Sequence, residues 1–217
     1  MKILIILSGG MDSATALYWA KKEHDVIGCL NFQYGSKHND KERVAFAKIC
    51  EAASIKGITI ELPFIGKHFK SDLLNSGGDI PEGHYEDPSM KKTVVPFRNG
   101  IMLSIAAGYA ESIGAQAIVL GNHFGDHAIY PDCREDFSKA MFEAIKLGTY
   151  AEIKMLTPFL KMTKGDICKL GAELGVPYEL TWTCYKGGEK ACGKCGSCQE
   201  RLEAFAFAGV KDNISYE

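Results

Sequence analysis

Apolar runs and polar, Gly-rich breaks alternate along this chain in a strand–helix rhythm. Ile3-Leu4-Ile5-Ile6-Leu7 is an unbroken apolar run with β-branched residues, the pattern of a parallel strand buried on both faces. Ser8-Gly9-Gly10 breaks the run, and residues 12–23 follow with a capping-type Asp and then good helix formers. Residues 25–32 and 57–62 read as a second and a third strand. Between them residues 38–53 read as a helix, with Val44, Phe46, Ala47, Ile49 and Cys50 at its apolar positions. Residues 75–92 have no periodicity and read as a long loop of the kind that covers binding sites. A helix over 99–113, a strand over 117–120 ending at Gly121-Asn122, and helices over 136–147 and 163–174 complete the pattern; Gly175 and Pro177 stop the last one. The alternation predicts an α/β fold, a parallel sheet with helices on both faces. Ligands of such sheets sit beyond the carboxyl ends of the strands. Residues 8–13, 31–38, 96–100 and 121–134 are therefore expected to converge on one crevice.

Length and charge narrow this picture. The 217 residues suit one α/β domain, expected over 1–178, with a small C-terminal segment, 179–217, packed on it. A hydrophobic content of 46% is enough to build its core. The formal net charge of −2 supplies no basic field for binding nucleic acid, which argues against enzymes acting on whole tRNA. No apolar run approaches the roughly 20 residues of a membrane span, and the first apolar stretch is too short for a signal peptide. A cytoplasmic protein with no membrane partner is expected, and its eight Cys are not expected to pair as disulfides.

The candidate chemistry begins at the first turn. A strand, a Gly-rich turn and a helix start let backbone N–H groups converge on an anion, with the helix dipole adding positive charge. A phosphate chain is the expected anion. The ATPase P-loop, which places Lys after its glycines, and the dinucleotide pattern G-x-G-x-x-G are both absent here. Ser8-Gly9-Gly10-Met11-Asp12-Ser13 is instead similar to the pyrophosphate loop, S-G-G-x-D-S, of the N-type ATP pyrophosphatases, the PP-loop superfamily. That resemblance implies a Rossmann-like sheet of the adenine nucleotide α-hydrolase kind. It also implies attack of a nucleophile on the α-phosphate of ATP, giving an adenylated substrate and pyrophosphate. Far along the chain, Cys184, Cys192, Cys195 and Cys198 form C-x7-C-x2-C-x2-C, with Gly193 and Gly196 permitting tight turns. Four thiolates satisfy one tetrahedral, structural Zn2+ per chain, and an iron–sulfur cluster is the main rival. Cys29, Cys50 and Cys168 read as buried hydrophobes. Cys133, in Tyr130-Pro131-Asp132-Cys133-Arg134, reads either as a packed residue or as a catalytic thiol.

Separated segments carry a more specific resemblance: LSGGMDSAT, FQYGSKHNDKE, VVPFRN, YPDCREDF, TPFLKMTKGDI and TWTCYKGGEKACGKCGSC. From first strand to tail they resemble the 7-cyano-7-deazaguanine synthase family of queuosine biosynthesis. The resemblance implies a ligase that adenylates 7-carboxy-7-deazaguanine with ATP, lets ammonia displace AMP to give the amide, and dehydrates the amide with a second ATP to the nitrile. With no room for a glutaminase domain, free ammonia is the expected nitrogen source, and a homodimer is expected. The implied ATP site comprises Leu7, Ser8, Gly9, Gly10, Met11, Asp12, Ser13, Ala14, Thr15 and Gly121. Within it Asp12 would hold Mg2+, with a plain helix N-cap as its bland alternative. Lys164 would neutralise phosphate charge, and Arg98 would clamp the substrate carboxylate bidentately; a solvated lysine and a surface ion pair are the alternatives. The implied substrate set adds Gln33, His38, Asn99, Asp126, Tyr130, Asp132 and Arg134, with Asp132 or Asp126 accepting from the guanine-like edge. His38 reads equally as a residue at a helix end.

The chain departs from the family pattern at Ser36, where Gln or a similar residue is expected. It departs again at His127-Ala128-Ile129, where small residues are expected, and Asn122-His123-Phe124-Gly125 is unusual. These departures keep open a variant that stops at 7-amido-7-deazaguanine. Another PP-loop amidating ligase or a tRNA-thiolation enzyme is the other enzymatic reading. The non-enzymatic one is a zinc knuckle that grips nucleic acid through Lys186, Lys190, Lys194 and Arg201.

Overall fold

A computed structural model describes residues 1–123 and 129–217. Among the described residues five strands form one parallel sheet: β1 (Lys2–Ile6), β2 (Asp25–Gln33), β3 (Gly57–Glu61), β4 (Ala117–Val119) and β5 (Lys154–Leu156), in the order β3-β2-β1-β4-β5. The helices are α1 (Met11–Glu23), α2 (Asn39–Ala53), α3 (Pro63–His68), α4 (Arg98–Ser112), α5 (Glu135–Gly148), α6 (Lys164–Glu173) and α7 (Gly196–Ala208).

The period-2 pattern of β1 decides which helix lies on which face. Ile3 and Ile5 point into a core shared with Leu17 of α1, Ile49 of α2, Ile167 of α6 and Phe205 of α7. Leu4 points the other way, into a second core with Leu103 and Ala106 of α4 and Ile145 of α5. The doubly covered parallel sheet expected from the alternation is thus present. Strand order reverses between β1 and β4, so the crevice at their carboxyl ends is the topological switch point, where such sheets bind ligands.

The elements lie within a residue or two of the positions read from the sequence, and three others have no counterpart there. The α3 helix carries Pro63 at its first position and spans six residues. The three residues of β5 hold no β-branched side chain, and pairing with β4 alone makes them a strand. The long α7 is the larger miss. Its alternating Cys, Arg and Phe residues hide the periodicity, although Gly209, left-handed at its C-cap, is a legible stop.

This helix also corrects the reading of Arg201 as part of a basic surface. Its side chain is fully buried. Nε and Nη2 donate to the Asp212 carboxylate at 2.7 and 2.9 Å, Nη1 to the hydroxyls of Thr181 and Thr183 at 2.8 and 3.1 Å, and Nη2 also to the Tyr178 carbonyl at 3.1 Å. With all five donors used, no charge is left for nucleic acid. Burial pushes the Asp212 carboxyl up, but the hydrogen bonds and charge of Arg201 outweigh it and hold the group below its ordinary value. Arg201→Met leaves that carboxylate without its counter-charge, though Tyr216 Oη still donates to it at 2.7 Å, and unfolding in denaturant is expected to show a loss of about 3 kcal/mol. A depressed carboxyl stabilises the fold above its unfolded pKa, and the contribution fades as pH falls through the folded value. The advantage of the native protein over Asp212→Asn is therefore expected to be full near about pH 6 and to shrink below about pH 4.

Candidate active site and metal centre

The turn after β1 is organised by two hydroxyls. Ser13 Oγ accepts from the Ser8 N–H at 3.2 Å and lies 3.1 Å from Ser8 Oγ, which accepts from the Gly10 N–H at 3.2 Å. Gly10 is the N-cap of α1, and among the described residues no side chain caps this helix. The first amides of α1 therefore keep N–H groups with no intrahelical partner, the arrangement that binds anions. Asn31 of β2 holds the turn from beneath, donating to the carbonyls of Leu7 and Ser8 at 3.0 and 3.3 Å. Two glycines permit the close fit. A Cβ on Gly9, whose φ is +99°, would sit 2.7 Å from the Glu42 carbonyl, and one on Gly121 would sit 3.0 Å from the Asp12 carbonyl.

Asp12 is not the helix cap. Its carboxylate lies 3.2 Å from Lys164 Nζ, which also bonds Glu200 of α7 at 2.6 Å. His123 Nε2 lies 3.8 Å from both carboxylates. Thr163 and Asp166 form a capping box that starts α6 and places Lys164 in its first turn. Asp12 Oδ1 is buried and has no hydrogen-bond partner among the described residues. An oxygen-seeking divalent cation fits that orphaned atom, beside a turn built for phosphate.

One cavity joins this cluster to an aromatic wall. Leu7, Ser8, Gly10, Met11, Asp12, Ser13, Gly121, His38, Arg98, Asn99, Tyr130 and Lys164, all singled out in the sequence, line it. Phe97, left-handed at φ 52°, turns the chain so that α4 starts with Arg98 at the cavity. Arg98 Nη1 donates to Tyr34 Oη at 3.4 Å. Burial opposes its charge, but Tyr34, Asp132, Cys133 and Tyr130 around it keep the guanidinium firmly protonated. Burial first, with the Glu42 charge adding to it, pushes the Tyr34 hydroxyl up, against the pull of Arg98.

Other predicted residues stand elsewhere. Gly9, Ala14, Thr15, Gln33, Asp132 and Arg134 do not line the cavity. Thr15 and Ala14 are fully buried, and the Thr15 hydroxyl meets the Met11 carbonyl and the Tyr178 hydroxyl, both at 2.8 Å. Gln33 donates to Asn31 at 2.8 Å. Buried Asp132 accepts the Asn99 N–H at 2.8 Å and so supplies α4 with a cap from outside the helix. Arg134 is exposed at the start of α5. Asp126, with His127, Ala128, Phe124 and Gly125, lies outside the described residues. Cys133 is buried at the cavity, with the Asn99 amide 3.1 Å from its sulfur. Cys29, Cys50 and Cys168 are buried among apolar side chains, as expected. Sequence reasoning missed Glu42, Tyr85, Tyr185 and Glu200, and noted His123 only as part of an unusual stretch in the expected crevice. Tyr185 and Glu42 stand inside the quoted family segments, whereas Glu200 carries no signal beyond its place two residues after Cys198.

The four-cysteine cluster is close-knit. The sulfurs of Cys184, Cys192, Cys195 and Cys198 lie within 4.8 Å of one another, and all four residues are buried. The N–H groups of Lys194 and Cys195 approach Cys192 Sγ at 3.4 and 3.3 Å, and that of Cys192 approaches Cys184 Sγ at 3.4 Å, which suits thiolates. Hydrogen bonds from Cys195 and Cys198 pull the Cys184 thiol down, while Cys195 is pushed up to about 12. A metal ion relieves that conflict by taking every sulfur as thiolate, so the donor set fits one.

Sheet order, loop and cavity define a nucleotide-binding α/β protein with a pyrophosphate-type loop. The chain belongs to the family of queuosine biosynthesis protein QueC, whose model matches residues 2–209. It is 53% identical over 215 residues to 7-cyano-7-deazaguanine synthase of Porphyromonas gingivalis, covering 99% of this chain and 96% of that one. It is 54% identical over 213 residues to the enzyme of that name from Desulfotalea psychrophila, covering 98% and 97%. The chain is thus a C–N bond-forming ligase of this family. NMN synthetase from Francisella tularensis shares the fold at 14% identity and a TM-score of 0.50, covering 97% of this chain and 77% of that one. Among the described residues no helix is long and apolar enough to cross a membrane.

The two carboxylates that flank one ammonium give a prediction. Lys164→Met is expected to cost about 2 kcal/mol in chemical denaturation. Adding Glu200→Gln is expected to restore part of that, with a coupling of at least about 1 kcal/mol in the double-mutant cycle.

Proposed function

We propose that this chain converts 7-carboxy-7-deazaguanine, ammonia and ATP to 7-cyano-7-deazaguanine through an acyl adenylate and an amide. One observation carries the reading: a single cavity joins the anion-binding turn and Lys164 to a guanidinium ringed by aromatic side chains. The relatives named for this product support the choice of substrate.

Arg98 would hold the substrate carboxylate so that one oxygen reaches the α-phosphorus. As that O–P bond forms, the bond to pyrophosphate breaks, and the amides of the Ser8–Ser13 turn with Lys164 Nζ receive the departing charge. Ammonia then adds to the acyl carbon and AMP leaves with the carboxyl oxygen. The amide oxygen then attacks the α-phosphorus of a second ATP and releases pyrophosphate, and that oxygen departs with AMP while the nitrogen gives up two protons. Mg2+ bound with ATP would be held by Asp12 and would add charge against the phosphate oxygens. Glu200 keeps Lys164 at the site. Zn2+ is the proposed ion of the four cysteines, where it supplies structure only. Free ammonia, a homodimer and a cytoplasmic location complete the proposal on the family resemblance.

Mass spectrometry of the reaction with excess ATP and ammonia is expected to give the nitrile and two AMP per product. Amide as the sole final product would shorten the reaction to its first half, and no consumption of the acid would overturn the proposal. Asp12→Asn is expected to lower kcat/KM by about 100-fold or more. The purified protein is expected to be colourless with one zinc per chain by elemental analysis; iron with labile sulfide would overturn the zinc assignment.

A further inference from the structure

The first turn of α2 builds a rigid polar corner of the cavity. Asn39 Oδ1 accepts the N–H groups of Tyr34, Gly35 and Ser36 at 3.0, 2.7 and 2.8 Å. Lys37 Nζ donates to the carbonyls of Asp72, Leu74 and Gly77 at 3.0, 2.7 and 3.2 Å. The segment held from both sides presents His38 and Glu42 to the cavity, with side chains only 4% and 14% exposed. His38 Nε2 lies 3.5 Å from Glu42 Oε1, and the imidazole is tilted on the Tyr185 ring at 5.3 Å. His38 Nδ1 is buried with no hydrogen-bond partner among the described residues.

Polar groups desolvated in this way are costly until something bonds them. In the neutral tautomer that carries its proton on Nε2, facing Glu42, Nδ1 is an acceptor, and the pair then offers acceptors only. Its ligand must present adjacent N–H donors. A guanine-type edge does so, with a ring N–H beside an exocyclic amine that a carboxylate accepts in parallel. An adenine edge puts an acceptor nitrogen beside its amine and would face the carboxylate with a lone pair. The cation for the opposite end of the ligand is close by, since Tyr34 at the head of this segment bonds Arg98 at 3.4 Å. Asp132, the carboxylate named for this role in the sequence, is engaged with the Asn99 N–H and stands off the cavity.

We propose that Glu42, positioned by His38, is the specificity residue that reads the N–H and amine edge of the deazaguanine. This inference rests on the deazaguanine reading above. The test compares the 7-carboxy acids of 7-deazaguanine and of 7-deazahypoxanthine, which lacks the amine, in ATP–pyrophosphate exchange by the zinc-loaded enzyme. The native enzyme is expected to prefer the guanine acid by about 30-fold or more in kcat/KM. Glu42→Gln and Glu42→Ala are expected to bring that ratio within about threefold while KM for ATP stays within about twofold. Unchanged zinc content and thermal midpoint show that the variants are folded. A ratio preserved in Glu42→Ala overturns the proposal. So does a defect confined to KM for ATP, which would give Glu42 to the nucleotide's ribose. Equal use of both acids by the native enzyme overturns it without recourse to variants. A native enzyme that uses neither acid overturns the deazaguanine reading itself.

Discussion

One ammonium between two carboxylates holds the two ends of this chain together. Asp12 comes from the first helix and Glu200 from the last, and Lys164 of α6 meets both, at 3.2 and 2.6 Å. Neither carboxylate is exposed enough for water to compensate the other fully, so their approach depends on the lysine. The same approach brings the start of α6 and the helix of the cysteine cluster to the edge of the anion-binding turn. Trp182 N–H, just ahead of Cys184, bonds the Gly9 carbonyl at 2.9 Å and fastens the two regions a second time. The cavity is therefore assembled from both ends of the sequence, and the lysine beside its phosphate turn is held partly by α7.

That dependence gives the cysteine cluster a role larger than stapling a tail. Cys195 is the N-cap of α7 and Cys198 lies in its first turn. The sulfurs thus fix the helix that carries Ser197 into the cavity wall, Glu200 onto Lys164, and Arg201 into its buried site. The last residues close around it, since Ala191, next to Cys192, exchanges backbone hydrogen bonds with Ser215 and Glu217. Loop Gly187 lies so near Lys37 that a Cβ there would meet its carbonyl. Cysteine cluster, sheet core and α2 corner share one packing problem.

How much of this was legible depended on the range of the interaction. The β1 turn, the alternation of elements and the cysteine spacing are local patterns, and each was readable because its physics is contained in a dozen residues. Asp132 is assigned to the guanine-like edge of the substrate by the family resemblance, as a carboxylate able to accept from it. Its partner is the N–H of Asn99, 33 positions away, and nothing local announces that. Arg201 looked like one of several surface cations because its counter-charge, Asp212, lies beyond the end of a helix that was itself not foreseen. Glu42 is given no role by the sequence pattern, since only the fold of the segment before it turns that face of α2 to the cavity.

The charges of the site are arranged by end rather than by sum. At the turn, open amides and Lys164 await negative charge, tempered by Asp12 and Glu200 so that the empty site is not a bare cationic pocket. At the aromatic end Arg98 is kept protonated among phenols and near a carboxylate, so its charge is fixed before any ligand arrives. A ligand with a single anionic group has two places to go and no reason to choose. One with an anionic group at one end and N–H donors at the other satisfies Arg98 and the His38–Glu42 corner in one orientation only. That orientation would set its carboxylate at Arg98, in the cavity that the anion-binding turn also lines. Selectivity and the geometry of attack would then come from the same few contacts, which is how remote binding groups serve a chemical step.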